Sequence, residues 1–336
     1  MAGVTLKDIA RECKVSFSTV SKALKNSCEI SRQTTERIRE TAQRMGYHTN
    51  AAARTLRTKQ SYNIGVIFED VTGSGLQHQY FAKIFDSINV HANYAGYAIT
   101  FLSPSSRHDY LSQARYHGCD GVIIASTIFQ REDVRRLLES ELPVCTLDYE
   151  DEHNHSAVLS DNSTGMKTLL EEIIAKGHRK IAYIHGEPSY VSSQRLETFR
   201  STLAQHGIAL QPGYLQEGRY HDTDASYRAT GTLLAMEERP TCIIYPDDFA
   251  ALGGIKALSE ARLVPGRDIG IAGYDGILIA TLLTPSLTTY EQDARELGRQ
   301  LVAQVLENIA AQESFTRTTV FVSGRFRPGA SVMDIH

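Results

Sequence analysis

Apolar residues recur along the first fifty positions at the spacing of short helices. Thr5-Leu6-Lys7-Asp8 has the form of a capping box, and Leu6, Ile9, Ala10 and Cys13 follow at i, i+3, i+4 and i+7. Lys14-Val15-Ser16 interrupts that period. A second helix then turns Val20, Ala23 and Leu24 inward and Ser18, Ser21, Lys22 and Lys25 outward. A third begins at Ser31 as its N-cap, runs through Ile38, Ala42 and Met45, and stops at Gly46. Three short helices, the first two joined by a tight turn, predict a helix-turn-helix unit.

From Tyr62 the pattern changes to short apolar strands alternating with amphipathic helices. Strands are predicted at Ile64–Phe68, Ala98–Leu102, Gly121–Ala125, Val144–Leu147, Lys180–His185, Cys242–Tyr245 and Ile269–Tyr274. Helical periodicity covers Phe81–Tyr94, Gly165–Ala175, Ser193–His206, Ser226–Met236, Ala250–Ala261 and Ala294–Ala311. Such alternation means parallel sheets flanked by helices, and this many strands fit two doubly wound units. The expected class is therefore an all-α helix-turn-helix headpiece followed by an α/β domain of two doubly wound parallel-sheet subdomains. The expected boundaries are 1–49 for the headpiece, 50–60 for a hinge and linker, and 61–336 for the large domain. Within the large domain, 61–177 with 293–320 would form one subdomain and 178–292 with 321–336 the other, crossing first at Lys176–Lys180.

Charge sharpens the division. Residues 1–60 hold 12 Lys and Arg against 5 Asp and Glu, a net of +7; the remaining 23 basic and 34 acidic residues leave −11. A cationic module on an acidic body suits a polyanionic partner. The five cysteines are scattered without metal-ligand spacing, as in a protein of a reducing cytoplasm. No signal peptide is expected at the polar N-terminus, and no apolar run reaches the roughly 20 residues of a membrane span.

The outward face of the second helix has major-groove chemistry. Short hydroxyls allow close approach to phosphates, Lys22 can reach a guanine edge, and Phe17 can lie against a thymine methyl. Candidate DNA contacts in the headpiece are Thr5, Ser16, Phe17, Ser18, Thr19, Ser21 and Lys22. Behind it lies Asn50-Ala51-Ala52-Ala53-Arg54-Thr55-Leu56-Arg57, basic, alanine-rich and too short for a stable isolated helix. Coiled on DNA, it would offer Leu56 as a minor-groove wedge, with Arg54 and Arg57 on the flanking phosphates and Asn50 a further candidate DNA contact. A flexible linker whose leucine packs on the large domain is the other reading of that stretch.

Ligands of doubly wound sheets lie outside the carboxyl ends of the strands. Asp247 and Asp275 sit there, Ser126 follows the third predicted strand, and Arg195 opens a helix after His185-Gly186. Tyr80 and Phe81 begin the helix after the first strand, and Tyr220 lies in the loop before Asp224. Carboxylates and a guanidinium that pair with vicinal hydroxyls, together with aromatic faces for C–H surface, are what a sugar requires.

Val4-Thr5-Leu6-Lys7-Asp8-Ile9-Ala10, Val15 to Asn26, Gly46-Tyr47 and Asn50 to Leu56 resemble the lactose/galactose-repressor (LacI/GalR) family of bacterial regulators. Less densely, Asp161-Asn162, Gly177-His178-Arg179-Lys180-Ile181, Arg195-Leu196, Asp247 to Gly253, Gly273-Tyr274-Asp275 and Leu287-Thr288-Thr289 are similar to family landmarks. The resemblance implies a periplasmic-binding-protein-like effector domain. It also implies residues 17, 18 and 22 as main base readers, Leu56 as the minor-groove leucine of a hinge helix, and Arg195, Asp247 and Asp275 in an effector pocket walled by Tyr220, Tyr80 and Phe81. Phe17, where the family usually has Tyr, and Lys22, where it usually has Arg, set operator preference apart from that of relatives. Asp247 stands where many relatives have Asn, and an extra carboxylate favours a hydroxyl-rich or cationic ligand over an anionic one.

The expected protein is a cytoplasmic repressor, a homodimer on a near-palindromic duplex, controlled by a small molecule of the sugar class. Neither an enzyme activity nor a cofactor, metal or membrane partner is expected. A sugar-binding transport receptor or a carbohydrate-processing enzyme on the same fold is the alternative. Gly73-Ser74-Gly75-Leu76-Gln77-His78 lacks the third glycine of a dinucleotide fingerprint, and neither a Walker loop nor a Gly-x-Ser-x-Gly elbow occurs. His153-Asn154-His155 is read as a solvated loop. After Val322 there is no heptad pattern, so a coiled-coil tetramer is not expected.

Overall fold

A computed structural model describes residues 4–24, 29–47, 60–70, 73–103, 108–153, 155–311 and 316–336. The chain divides into two compact units, Met1–Ser61 and Tyr62–His336. In the first, α1 (Leu6–Glu12), α2 (Phe17–Leu24) and α3 (Arg32–Arg44) surround a core of Ile9, Ala10, Cys13, Val20, Ala23, Ile38 and Ala42. Each boundary has a local cause. The Asp8 carboxylate accepts from the Thr5 amide (2.9 Å) and the Thr5 hydroxyl (2.6 Å) at the start of α1. Lys14, at φ +52°, makes the turn to α2. The Ser31 hydroxyl accepts from the Thr34 amide at 3.2 Å to open α3, and Gly46, at φ +68°, closes it.

The second unit contains two sheets. Strands β1 (Asn63–Phe68), β2 (Ala98–Leu102), β3 (Gly121–Ser126), β4 (Val144–Leu147), β5 (Ser156–Ser160) and β11 (Thr319–Val322) form an all-parallel sheet in the order β11-β5-β4-β3-β1-β2. Strands β6 (Ile181–His185), β7 (Leu215–Glu217), β8 (Cys242–Ile244), β9 (Gly270–Asp275), β10 (Thr288–Glu291) and β12 (Arg325–Arg327) form the other, ordered β12-β10-β9-β8-β6-β7. Only β12 runs antiparallel there. Each sheet reverses its strand order once, between β1 and β3 and between β6 and β8, and a doubly wound sheet opens a crevice at such a point.

The flanking helices follow the apolar periodicity: α4 (Gln79–Tyr94), α7 (Asn162–Ala175), α8 (Tyr190–Gln205), α9 (Thr223–Leu234), α10 (Ala251–Glu260) and α12 (Ala294–Ala311). Three shorter ones, α5 (Tyr110–Tyr116), α6 (Glu132–Leu138) and α11 (Leu278–Leu282), were not predicted. Nor were β5, β7, β10 and β12, which are short or carry polar residues on buried positions.

The first crossing between lobes differs from the expected one. Helix α7 buries Met166, Leu169, Leu170 and Ile173 with Ile181, Tyr183 and Tyr274 of the second lobe, so the chain leaves the first lobe directly after β5 rather than at Lys176–Lys180. Gly177, at φ +91°, ends α7 inside the second lobe. The return comes between β10 and α12, whose Leu297, Leu301, Val302 and Val305 pack with Ile64, Val66 and Ile123. The final crossing lies between β11 and β12, a few residues beyond the expected position at 320.

Candidate functional site

A cavity of about 440 Å³ lies between the facing carboxyl ends of the two sheets. Its lining includes Tyr80, Phe81, Ser126, Arg195, Tyr220, Asp247 and Asp275, the full set expected from sequence. The strands place them: Ser126 ends β3, Asp275 ends β9, and Asp247 follows β8 through Tyr245-Pro246. Tyr80 sits in the first turn of α4 and Arg195 in α8, each helix following the first strand of its sheet in chain order, beside the point where the strand order reverses.

Arg195 is buried and held on three sides. Its Nε donates to Asn162 Oδ1 at 2.7 Å, one Nη donates to the Pro246 carbonyl at 3.0 Å, and the guanidinium lies 3.5 Å from the centre of the Tyr274 ring. Asp247 is equally fixed, Oδ2 accepting from the His221 amide at 2.6 Å and Oδ1 from the Ala250 amide at 2.7 Å. Burial, with the Asp275 carboxylate adding to it, pushes the Asp247 carboxyl up to about 7. Burial also raises Asp275, whose Oδ1 accepts from Gln292 Nε2 at 2.7 Å. Asp275 adopts φ +93°, a costly backbone for a residue with a side chain, and such strain concentrates at functional sites.

Several lining residues were not foreseen. Asp148, directly after β4 at φ +50°, accepts from the amide (2.6 Å) and hydroxyl (3.0 Å) of Ser160, and burial raises its pKa. The rule that located Asp275, a carboxylate at the end of a strand, would have located it. Phe129 and Tyr149 stack face to face at 3.6 Å, and Gln292 lies at the second crossing between the lobes. His78 lines the cavity and stacks on His221 of the opposite lobe at 4.0 Å; burial, with the penalty for a second positive charge beside His221 in support, lowers it to about 4. Tyr80 Oη, His78 Nδ1 and Gln292 Oε1 are buried without a hydrogen-bond partner.

The headpiece presents the helix-turn-helix face predicted for it. Phe17, Ser18 and Lys22 are exposed on α2, Phe17 to 52%. Lys22 Nζ pairs with Glu29. The Ser16 hydroxyl caps α2 by accepting from the Thr19 amide at 3.0 Å, and it meets the hydroxyls of Ser18 and Thr19 at 2.8 Å. Thr5 is exposed, whereas Thr19 and Ser21 are half-buried. Asn50, Arg54, Leu56 and Arg57 lie outside the described residues.

Comparison with known proteins places both halves of the chain. The description "Bacterial regulatory proteins, lacI family" matches residues 5–50, and a periplasmic binding protein-like domain matches 170–332. Over 328 residues the chain is 30% identical to the probable HTH-type transcriptional repressor ExuR of Bacillus subtilis, covering 95% of this chain and 97% of that one. The chain belongs to the LacI family. A second LacI-family relative, the transcriptional repressor PurR of Haemophilus influenzae (strain PittEE), is 29% identical across 92% of each chain. The fold agrees with the Lac repressor dimer bound to operator and the anti-inducer ONPF (TM-score 0.80, 24% identity, 99% of this chain and 100% of that one). It also agrees with the CelR–cellobiose complex (TM-score 0.72, 20% identity, 98% and 99%).

One sequence expectation outside the LacI-family features is corrected. His155 is not in a solvated loop: it is fully buried, its ring parallel to Tyr149, with Nδ1 3.5 Å from Asp151 Oδ1. An adjacent apolar strand, β5, draws it inward. Among the described residues no group of three metal-ligating side chains could hold an ion, and no helix is long and apolar enough to cross a membrane.

Proposed function

We propose that this LacI-family protein is a transcriptional repressor acting in the bacterial cytoplasm, whose grip on a near-palindromic operator is set by a small polyhydroxylated effector in the interlobe cavity. The observation that carries the reading is the convergence of Tyr80, Phe81, Ser126, Arg195, Tyr220, Asp247 and Asp275 on one 440 Å³ space. Carboxylates and a guanidinium fixed by protein hydrogen bonds are preorganised for paired hydroxyls, and the rings offer stacking faces. Relatives named as transcriptional repressors, at nearly full coverage, support the output.

In this reading Phe17, Ser18 and Lys22 contact base edges, with Thr5, Ser16, Thr19 and Ser21 on or near the phosphates. Asn50, Arg54, Leu56 and Arg57 form a hinge segment that grips the minor groove when two copies meet on DNA. Effector binding changes the angle between the lobes, and with it the ordering of that segment, a coupling of about 1–3 kcal/mol. The cavity binds rather than catalyses. Each oxygen of Asp247 already accepts from a backbone amide, which disfavours it as a nucleophile or base while leaving lone pairs for ligand hydroxyls.

Selection of duplexes from a random pool by the purified protein, followed by titration of a sugar panel against the selected duplex, tests this reading. A preferred inverted repeat and at least one sugar that shifts its affinity are expected. Absence of any preferred duplex, with and without the panel, overturns it.

A further inference from the structure

The charges lining the cavity carry the reading one step further, and the step rests on the cavity being the effector site. Among the described residues that line it, seven carboxylates face one permanent cation, Arg195. Glu69 and Glu150 are neutralised from outside, by Arg131 at 2.6 Å and Arg317 at 2.8 Å. Asp148, Glu187, Asp247 and Asp275 remain.

Arg195 offsets one of these charges, favouring the ionised forms of Asp148 and Asp275, and has little left to offer a ligand. Nε and one Nη are already committed to Asn162 and Pro246, and its face is covered by Tyr274. His78 is neutral at ordinary pH, since burial holds it near 4. An anionic ligand entering here would meet more carboxylates than cations, and a single guanidinium with one nitrogen to spare. A neutral polyol would satisfy lone pairs but leave the repulsion between Asp247 and Asp275. A ligand cation removes it, and the aromatic rings of Phe81, Phe129 and Tyr220 line the same space as the acids. Gln292 Oε1, buried and unpartnered, supplies a further acceptor to an N–H donor.

We infer that the effector is a polyol carrying a protonated amine, of the amino-sugar class, with its ammonium between Asp275, Asp148 and the aromatic wall. The ligand's hydroxyls are left to Arg195 and Asp247.

The test is calorimetric titration of the full-length protein at neutral pH with glucosamine, galactosamine, mannosamine and the disaccharide of glucosamine. Each is compared with its parent sugar and the corresponding uronic acid. One amine is expected to bind at least about tenfold tighter than its parent, with the acid weakest, the margin of one charge-assisted hydrogen bond. In Asp275→Asn, which keeps an oxygen for Gln292, that margin is expected to shrink to within about threefold while binding of the parent sugar changes less. Asp148→Asn, whose amide can donate to the Ser160 hydroxyl, makes the same test should the first variant fold poorly. A parent sugar or uronic acid that binds as tightly as the amine overturns the charge assignment and leaves the polyol reading standing. Failure of every sugar to bind overturns both.

Discussion

The imidazoles of His78 and His221 stack 4.0 Å apart at an angle of 25°, one contributed by each lobe. His221 is in turn stacked on Phe249 at 3.9 Å, so the pair forms part of an aromatic bridge between the lobes. Both rings are held neutral by burial. Charging either one places a cation against its partner.

That bridge makes stability pH-dependent. His78 titrates near 4 in the folded protein and near 6.5 in the unfolded chain, so the unfolded state binds more protons between those values. Its contribution is complete above pH 6.5 and is lost as pH falls toward 4, by about 3 kcal/mol at most. His78→Phe, which keeps a ring for the stack, is expected to flatten the fall in Tm across this window. A wild-type and variant pair with parallel pH profiles would remove His78 from the account.

Arg195→Lys tests the cavity's organising cation. Lysine has no planar fork with which to hold Asn162, Pro246 and the Tyr274 face together. The variant should melt cooperatively at a lower temperature, by about 1.5–3 kcal/mol for a hydrogen bond to a charged group, and lose the effector response while retaining operator affinity. An unchanged dose response would place the effector elsewhere.

Lys22 and Arg57 should separate base reading from phosphate binding. Lys22→Ala is expected to relax preference at one operator position by about 1–3 kcal/mol. Arg57→Ala is expected to weaken all duplexes alike and to lower the slope of affinity against salt by about one ion. Because Glu29 pairs with Lys22 in the described headpiece, Glu29→Gln should tighten binding to every duplex. Equal loss of discrimination from both cation changes would contradict the division of labour.

Gly165 fills a gap that nothing larger fits. A methyl there would meet Tyr274 Oη at 2.0 Å and the Tyr290 ring at 2.7 Å. Gly165→Ala should cost about 1–3 kcal/mol in denaturant unfolding. It should also weaken effector binding, since Tyr274 is the shelf beneath Arg195. A variant with wild-type stability would show that α7 shifts freely against the second sheet.

The headpiece was readable because its periodicity, caps and turn all indicate the same short helices, and each cap is made by the residue named for it. The carboxylates of the cavity were readable only where a strand was obvious. Asp275 ends an apolar run, whereas Asp148 is followed by Tyr149-Glu150-Asp151-Glu152, a sequence with the look of a solvated loop. Gln292 was hidden because Thr288–Glu291 is buried through hydroxyls rather than alkyl groups. The place where α7 changes lobe was invisible for another reason: an apolar stripe shows that a helix packs, and not which of two similar sheets receives it.

Gln292 stands on one of three chain segments that tie the lobes together, and its amide holds Asp275. Two slabs fastened by three side-by-side tethers have one soft degree of freedom, a swivel about the line of the fasteners. A molecule seated on Asp275 therefore pulls close to the axle, where a small displacement at the centre becomes a large excursion at the rim.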